Sequence, residues 1–170
     1  HPLYFYRKRH LYQPLEQFSK YWIFKRNDPK VADEDLQGIR LLDESRASQV
    51  WRDYISDEQV HPDHFSDRDW LKKNSAQAPD GKFQWEKAWD RDDASLPDEM
   101  RAHFSAWGAD TTVFFCCHNE LVFEMNWGVF QRTWKAFLFL DNGPVLVGKK
   151  KKQAAQFHSN GWANLLFRES

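Results

Sequence analysis

Two cysteines, seven glycines and no apolar run of membrane-spanning length set the first limits on this chain of 170 residues. The cysteines are neighbours, Cys116 and Cys117, and adjacent thiols cannot staple distant parts of a fold. A chain without a structural disulfide is expected in a reducing compartment, here the cytoplasm. The longest apolar candidate, Lys135 to Leu140, has the length of a strand and stops at Asp141, so no membrane partner is expected. Charge of one sign is also lacking, with 24 Lys and Arg against 25 Asp and Glu. A near-neutral chain has no general affinity for nucleic acid. Few glycines leave few places for phosphate-binding loops. No glycine-rich phosphate loop, dinucleotide fingerprint, nucleophile elbow or His-Glu-x-x-His pattern occurs, so catalysis has no motif behind it and no cofactor is expected.

Aromatic residues are what the chain has in excess: nine Trp, fourteen Phe and five Tyr. Large rings are core material first and partner surface second. The texture changes along the chain. Residues 1–11 read as an N-terminal extension, basic and aromatic, without the apolar segment of a secretory signal. From 12 onward a single domain is expected, helical and loop-rich to about Trp107 and strand-like from Thr111.

In the first half, Pro14–Tyr21 reads as a short helix, Trp22–Phe24 as a strand, and Asp33 as the cap of a helix carrying Leu36 and Ile39. Asp43 caps the clearest helix, where Ala47, Val50, Trp51 and Tyr54 form one apolar stripe. Residues 56–82 are polar, and a loop of that length inside a compact domain is functional or poorly ordered. Trp85 and Trp89 share a helical turn. Ser95 is expected to cap a helix with Pro97 in its first turn and Met100, His103 or Phe104, and Trp107 at helical spacing. In the second half, Thr111–His118, Leu121–Asn126, Ala136–Leu140, Val145–Val147, Gln153–Phe157 and Trp162–Phe167 read as strands, with Gly128–Thr133 ambiguous. Asn142-Gly143 and Asn160-Gly161 are hairpin signals of type I′. The fold class is therefore α+β, with N-terminal helices packed on one face of a C-terminal antiparallel sheet, a β-meander of about four to six strands.

Four clusters could carry chemistry. Cys116, His118 and Glu120 end one strand; Cys116 and His118 share its face, as a nucleophile and base or two metal ligands would. The plainer reading is thiols filling a central strand. His61, Asp63 and His64 put two imidazoles and a carboxylate in the long loop, a set able to bind a metal or move protons, although exposed turns have the same composition. Lys149, Lys150, Lys151 and Lys152 could touch phosphate, or could be a solvated hairpin end. Partner-binding candidates are Trp127 and Trp134, should they be exposed, together with Asp92 and Asp93 of the acidic stretch that begins at Asp90.

Tyr21-Trp22-Ile23-Phe24, Glu34-Asp35-Leu36, Val113–Cys117, Trp127-Gly128-Val129-Phe130 with Trp134, Phe137-Leu138-Phe139, Asp141-Asn142-Gly143-Pro144 and Gly148-Lys149-Lys150 follow one another in a familiar order. The chain after Tyr12 resembles the uncharacterised gammaproteobacterial domain-of-unknown-function family 2947. The resemblance implies a small cytosolic bacterial protein and transfers no activity. The strand-rich tail is also similar to those of bacterial families that include immunity and antitoxin proteins, a likeness of fold alone. The leading expectation is a non-catalytic domain that binds another protein through aromatic and acidic surface. The alternatives are a small metal-dependent or thiol/His enzyme and, behind it, RNA or nucleotide binding through the lysine run.

Overall fold

In the computed structural model, which describes residues 11–66, 68–72, 81–93, 95–138 and 140–168, the centre is a strand with no polar side. That strand, β4 (Thr112–His118), is buried from Val113 to Cys117. Val113, Phe115 and Cys117 face one apolar cluster, while Phe114 and Cys116 face another. A strand apolar on both faces needs cover on both. This corrects the expectation of helices on one face only.

Strands β5 (Leu121–Asn126) and β6 (Val145–Gly148) flank β4, and β7 (Gln153–Phe157) and β8 (Trp162–Phe167) follow. These boundaries match the sequence pattern closely. The sheet is nevertheless larger than a four-to-six-stranded meander. Three short strands from the first half, β1 (Tyr12–Gln13), β2 (Arg40–Leu42) and β3 (Lys82–Gln84), complete an eight-stranded order β1-β2-β5-β4-β6-β7-β8-β3. All pairings are antiparallel. Segments of two or three residues show no alternation to read, so only the partners they meet make them strands.

One face is covered by α5 (Trp127–Phe137), which the sequence leaves ambiguous at Gly128–Thr133 and reads as strand from Ala136. Asn126 caps it, its Oδ1 accepting the Val129 N–H at 2.8 Å. Trp127, Phe130, Trp134 and Phe137 then recur at helical spacing and are all buried. Phe137 sits 5.1 Å from Phe115, 5.4 Å from Phe123 and 5.2 Å from Phe24 between ring centres. The aromatic and branched residues weaken intrinsic helix propensity, but burying one stripe of rings outweighs a few tenths of a kcal/mol per residue. The opposite face is covered by α2 (Glu44–Tyr54), whose Asp43 cap accepts the Arg46 N–H at 2.7 Å. Ala47, Val50 and Trp51 are buried as the stripe predicts, and Tyr54 lies over Phe114 at 5.6 Å.

Smaller elements depart from expectation. Leu15–Gln17 and Tyr21–Phe24 are 3-10 turns, not helix and strand. Helix α1 (Asp33–Gly38) is preceded by Ala32, so Asp33 is its first residue and not its cap. Trp85 is fully buried and precedes α3 (Glu86–Trp89). Helix α4 (Asp98–His103) follows Pro97, while Ser95 instead donates its N–H to Asp93 at 3.0 Å. The two Asn-Gly signals also differ from type I′. Gly143 (φ 86°) links α5 to β6, and at the β7–β8 turn Gly161 (φ 91°) is left-handed but Asn160 is not. No helix among the described residues is long and apolar enough to cross a membrane.

Candidate functional site

The 3-10 turn at Tyr21–Phe24 replaces alternation with a tighter period, and this decides which ring reaches solvent. Ile23 and Phe24 are buried, Phe24 against Phe123 and Phe137. Trp22 between Tyr21 and Ile23 is left 59% exposed. A strand would have put Trp22 and Phe24 on one face. The guanidinium of Arg26 lies 5.3 Å from the centre of the Trp22 ring, a cation–π distance. Its Nε is enclosed without a hydrogen-bond partner among the described residues.

Next along the chain, Asp28, Pro29 and Val31 form one wall of a cavity of about 150 Å³. Asp92, Asp93, Arg132 and Lys135 line it as well. The Arg132 fork holds α5 to α1: its Nε donates to Asp35 Oδ1 at 2.9 Å and its Nη2 approaches the same oxygen at 2.9 Å. That bond to Asp35 raises the Arg132 pKa above its usual value. Hydrogen bonds from Ser95, led by its hydroxyl, hold the Asp93 carboxyl below the usual range. Asp92 and Asp93, candidates from the sequence, thus line one cavity with Asp28, Pro29 and Val31. Trp127 and Trp134 do not: they are 3% and 0% exposed, core side chains with no surface for a partner. Trp162 and Phe167 on β8 are exposed large rings among the described residues.

The two histidine-bearing candidates come together. The Asn119 N–H donates to Val60 O at 3.0 Å and pins the long loop to the β4–β5 turn. His61 and His118 then lie nearly parallel with centres 6.3 Å apart, and His64 is 5.9 Å from His61. His61 Nε2 faces Asp141 at 3.8 Å. Hydrogen bonding decides what these rings can do. His61 Nδ1 accepts the Asp63 N–H at 3.1 Å, and His118 Nδ1 accepts the Glu120 N–H at 3.2 Å. In the neutral ring that leaves the proton on Nε2, making it a donor. A metal-ligating imidazole has the opposite polarity, giving its other N–H away while the ligating nitrogen stays bare. Among the described residues no group of three His, Cys, Asp or Glu is arranged to hold a metal ion.

The thiols are sealed. Cys116 and Cys117 are 0% exposed in opposite cores. Burial pushes both thiols up from their usual value, and a thiol held protonated is not a nucleophile. Cys116 therefore does not join His118 in a reactive pair. Lys149–Lys152 make the turn between β6 and β7, with Lys150 at φ 60° and the Lys151 N–H closing on Gly148 O at 3.0 Å. This is the hairpin end that the sequence offers as the plainer reading.

A further concavity escapes sequence reasoning. The start of the long loop, residues 55–58, and its later stretch, 68–70, meet the end of α2 and Arg168 around a cleft of about 370 Å³. Arg168 stacks on Tyr54 at 4.2 Å, and its Nη1 donates to Lys151 O at 2.9 Å. Burial draws its pKa down from the ordinary arginine value. Nothing local announces this site, because its walls are 100 residues apart in the chain.

A family model described as protein of unknown function (DUF2947) matches residues 12–165, and the chain belongs to that family. No curated protein and no solved structure matches it.

Proposed function

From membership of a family without an assigned activity, we propose that this is a non-catalytic bacterial domain that recognises another protein in the cytoplasm. The observation that carries the reading is Trp22, 59% exposed beside the Arg26 guanidinium. Trp and Arg are the residues most often found as interface anchors, where a ring and a fork desolvate together. The cavity lined by Asp28, Asp92 and Asp93, which the chain enters shortly after Arg26, adds a polar concavity of the kind found at interface rims. Two free cysteines fit a reducing compartment.

The test is affinity capture from native lysate with the wild-type chain, Trp22→Ala and the pair Asp92→Lys/Asp93→Lys, each checked for an unchanged melting curve. One stoichiometric protein retained by wild type and lost with Trp22→Ala supports the reading. Equal recovery by all three chains places the contact elsewhere and overturns it.

A further inference from the structure

The cleft between the long loop and Arg168 is independent of the Trp22 surface. Its electrostatics are more selective than its mixed charge suggests. Of its carboxylates, Asp69 is turned inward, accepting the Ser56 hydroxyl at 2.5 Å and the Ser66 N–H at 2.8 Å. Glu58 faces Arg68 at 3.5 Å. Those two are already engaged. Arg168 has used one of its five N–H donors, on Lys151 O, and meets no other acceptor among the described residues. Arg52, exposed on α2, has no acceptor there either. Stacking on Tyr54 fixes the plane of the Arg168 fork, so little rotamer freedom remains to be lost when an anion arrives. Trp70, whose indole N–H donates to Tyr54 O at 3.2 Å, adds a second aromatic wall.

We propose that this cleft binds a small molecule carrying one phosphate or carboxylate group, gripped by the Arg168 fork with Arg52 as a second cation. Planar guanidinium presents two parallel donors to either anion, which is the strongest recognition geometry available to a side chain. The cleft volume of about 370 Å³ lies in the range of small-ligand sites. Asp53 and Asp57 at the rim repel further negative charge, so a polyphosphate is disfavoured. The aromatic walls favour a ligand whose anion is attached to a flat or apolar body.

Isothermal titration of the full chain with inorganic phosphate, phenyl phosphate and benzoate tests this. Saturable one-site binding by at least one probe is expected. Arg168→Lys, which keeps the charge but loses the fork, should weaken it about tenfold, and Arg52→Gln several-fold. Tighter binding of phenyl phosphate than of benzoate identifies phosphate as the recognised group, and the reverse identifies carboxylate. Should Arg168→Lys not fold, the exposed Arg52 variant decides alone. Absence of saturation up to about 50 mM, the regime of non-specific contact, overturns the proposal. Binding unchanged in the folded variants does the same. Neither result bears on Trp22.

Discussion

Gly143 is the residue on which the packing argument is easiest to break. Its φ is 86°, a region that costs a residue with a Cβ about 1–2 kcal/mol. Its N–H donates to Phe157 O at 2.9 Å, and its carbonyl accepts Gln156 Nε2 at 3.2 Å. A Cβ added there would stand 3.0 Å from Pro62 Cβ and 3.2 Å from Gln156 Nε2. Neither neighbour can swing away: the proline ring is rigid, and Gln156 is buried and held by the Gly143 carbonyl. Overpacking of this kind costs about 1–3 kcal/mol. The two terms act together, so Gly143→Ala should destabilise the fold by about 2–5 kcal/mol, or roughly 4–20 °C in Tm for a chain of this size. Urea unfolding followed by circular dichroism and tryptophan fluorescence gives the free energy, provided the two curves coincide. Gly108→Ala is the control. Its Cβ would meet nothing within 4 Å and its backbone is not left-handed, so stability should hold or rise by up to about 1 kcal/mol. A Gly143→Ala chain within about 0.5 kcal/mol of wild type, the range of an ordinary surface change, would refute the reasoning. It would mean that Pro62 and the turn yield, and that the histidine cluster beside Pro62 is not rigidly placed.

Burial dominates the lowered pKa of His103, and burial with the Lys82 charge lowers that of His158, both from an ordinary 6.5. The unfolded chain then binds protons that the native state refuses, so stability is full above about pH 6.5 and falls as pH drops below it. Urea midpoints between pH 8 and pH 5 check this, and a midpoint that rises on acidification contradicts it. Thiol labelling of the native protein should proceed only as fast as global opening, because Cys116 and Cys117 are both fully enclosed; fast labelling of either would refute the sealed-core reading. Trp134→Ala should lose about 3–5 kcal/mol as a large core ring, while Trp22→Ala should stay within about 0.5 kcal/mol. A comparable loss in both would show that Trp22 is core and not surface.

What was legible in the sequence is what short-range physics determines. Asp43 followed by Ala47, Val50 and Trp51 is a cap and a stripe, and both are present as read. Strands β5, β7 and β8 are bounded where their apolar runs end. Helix α5 is legible only in part: its rings at 127, 130, 134 and 137 have helical spacing, yet their residue types favour strands. By contrast, β1, β2 and β3 exist only through partners, as when Arg40 and Leu41 pair with Glu124 and Phe123 across the sheet.

The candidate sites divide along the same line, for a reason that bears on function. His61, Asp63 and His64 could be named as a group because they are consecutive, and His118 because it ends a strand. Their meeting depends on one long-range backbone bond, Asn119 N–H to Val60 O. The direction of the bonds to Nδ1 then runs against the polarity a metal-ligating imidazole has. Composition nominates groups, whereas hydrogen-bond polarity decides their chemistry. The same logic works in the opposite direction at Arg168. Beside Glu169 in the sequence it looks like an ordinary surface charge. Placed on Tyr54, half-buried and with most of its donors unmatched among the described residues, it becomes a group that an anion would complete. A functional residue of this kind is created by the packing of distant elements, so it is found by asking which donors the fold has fixed in place and left unanswered.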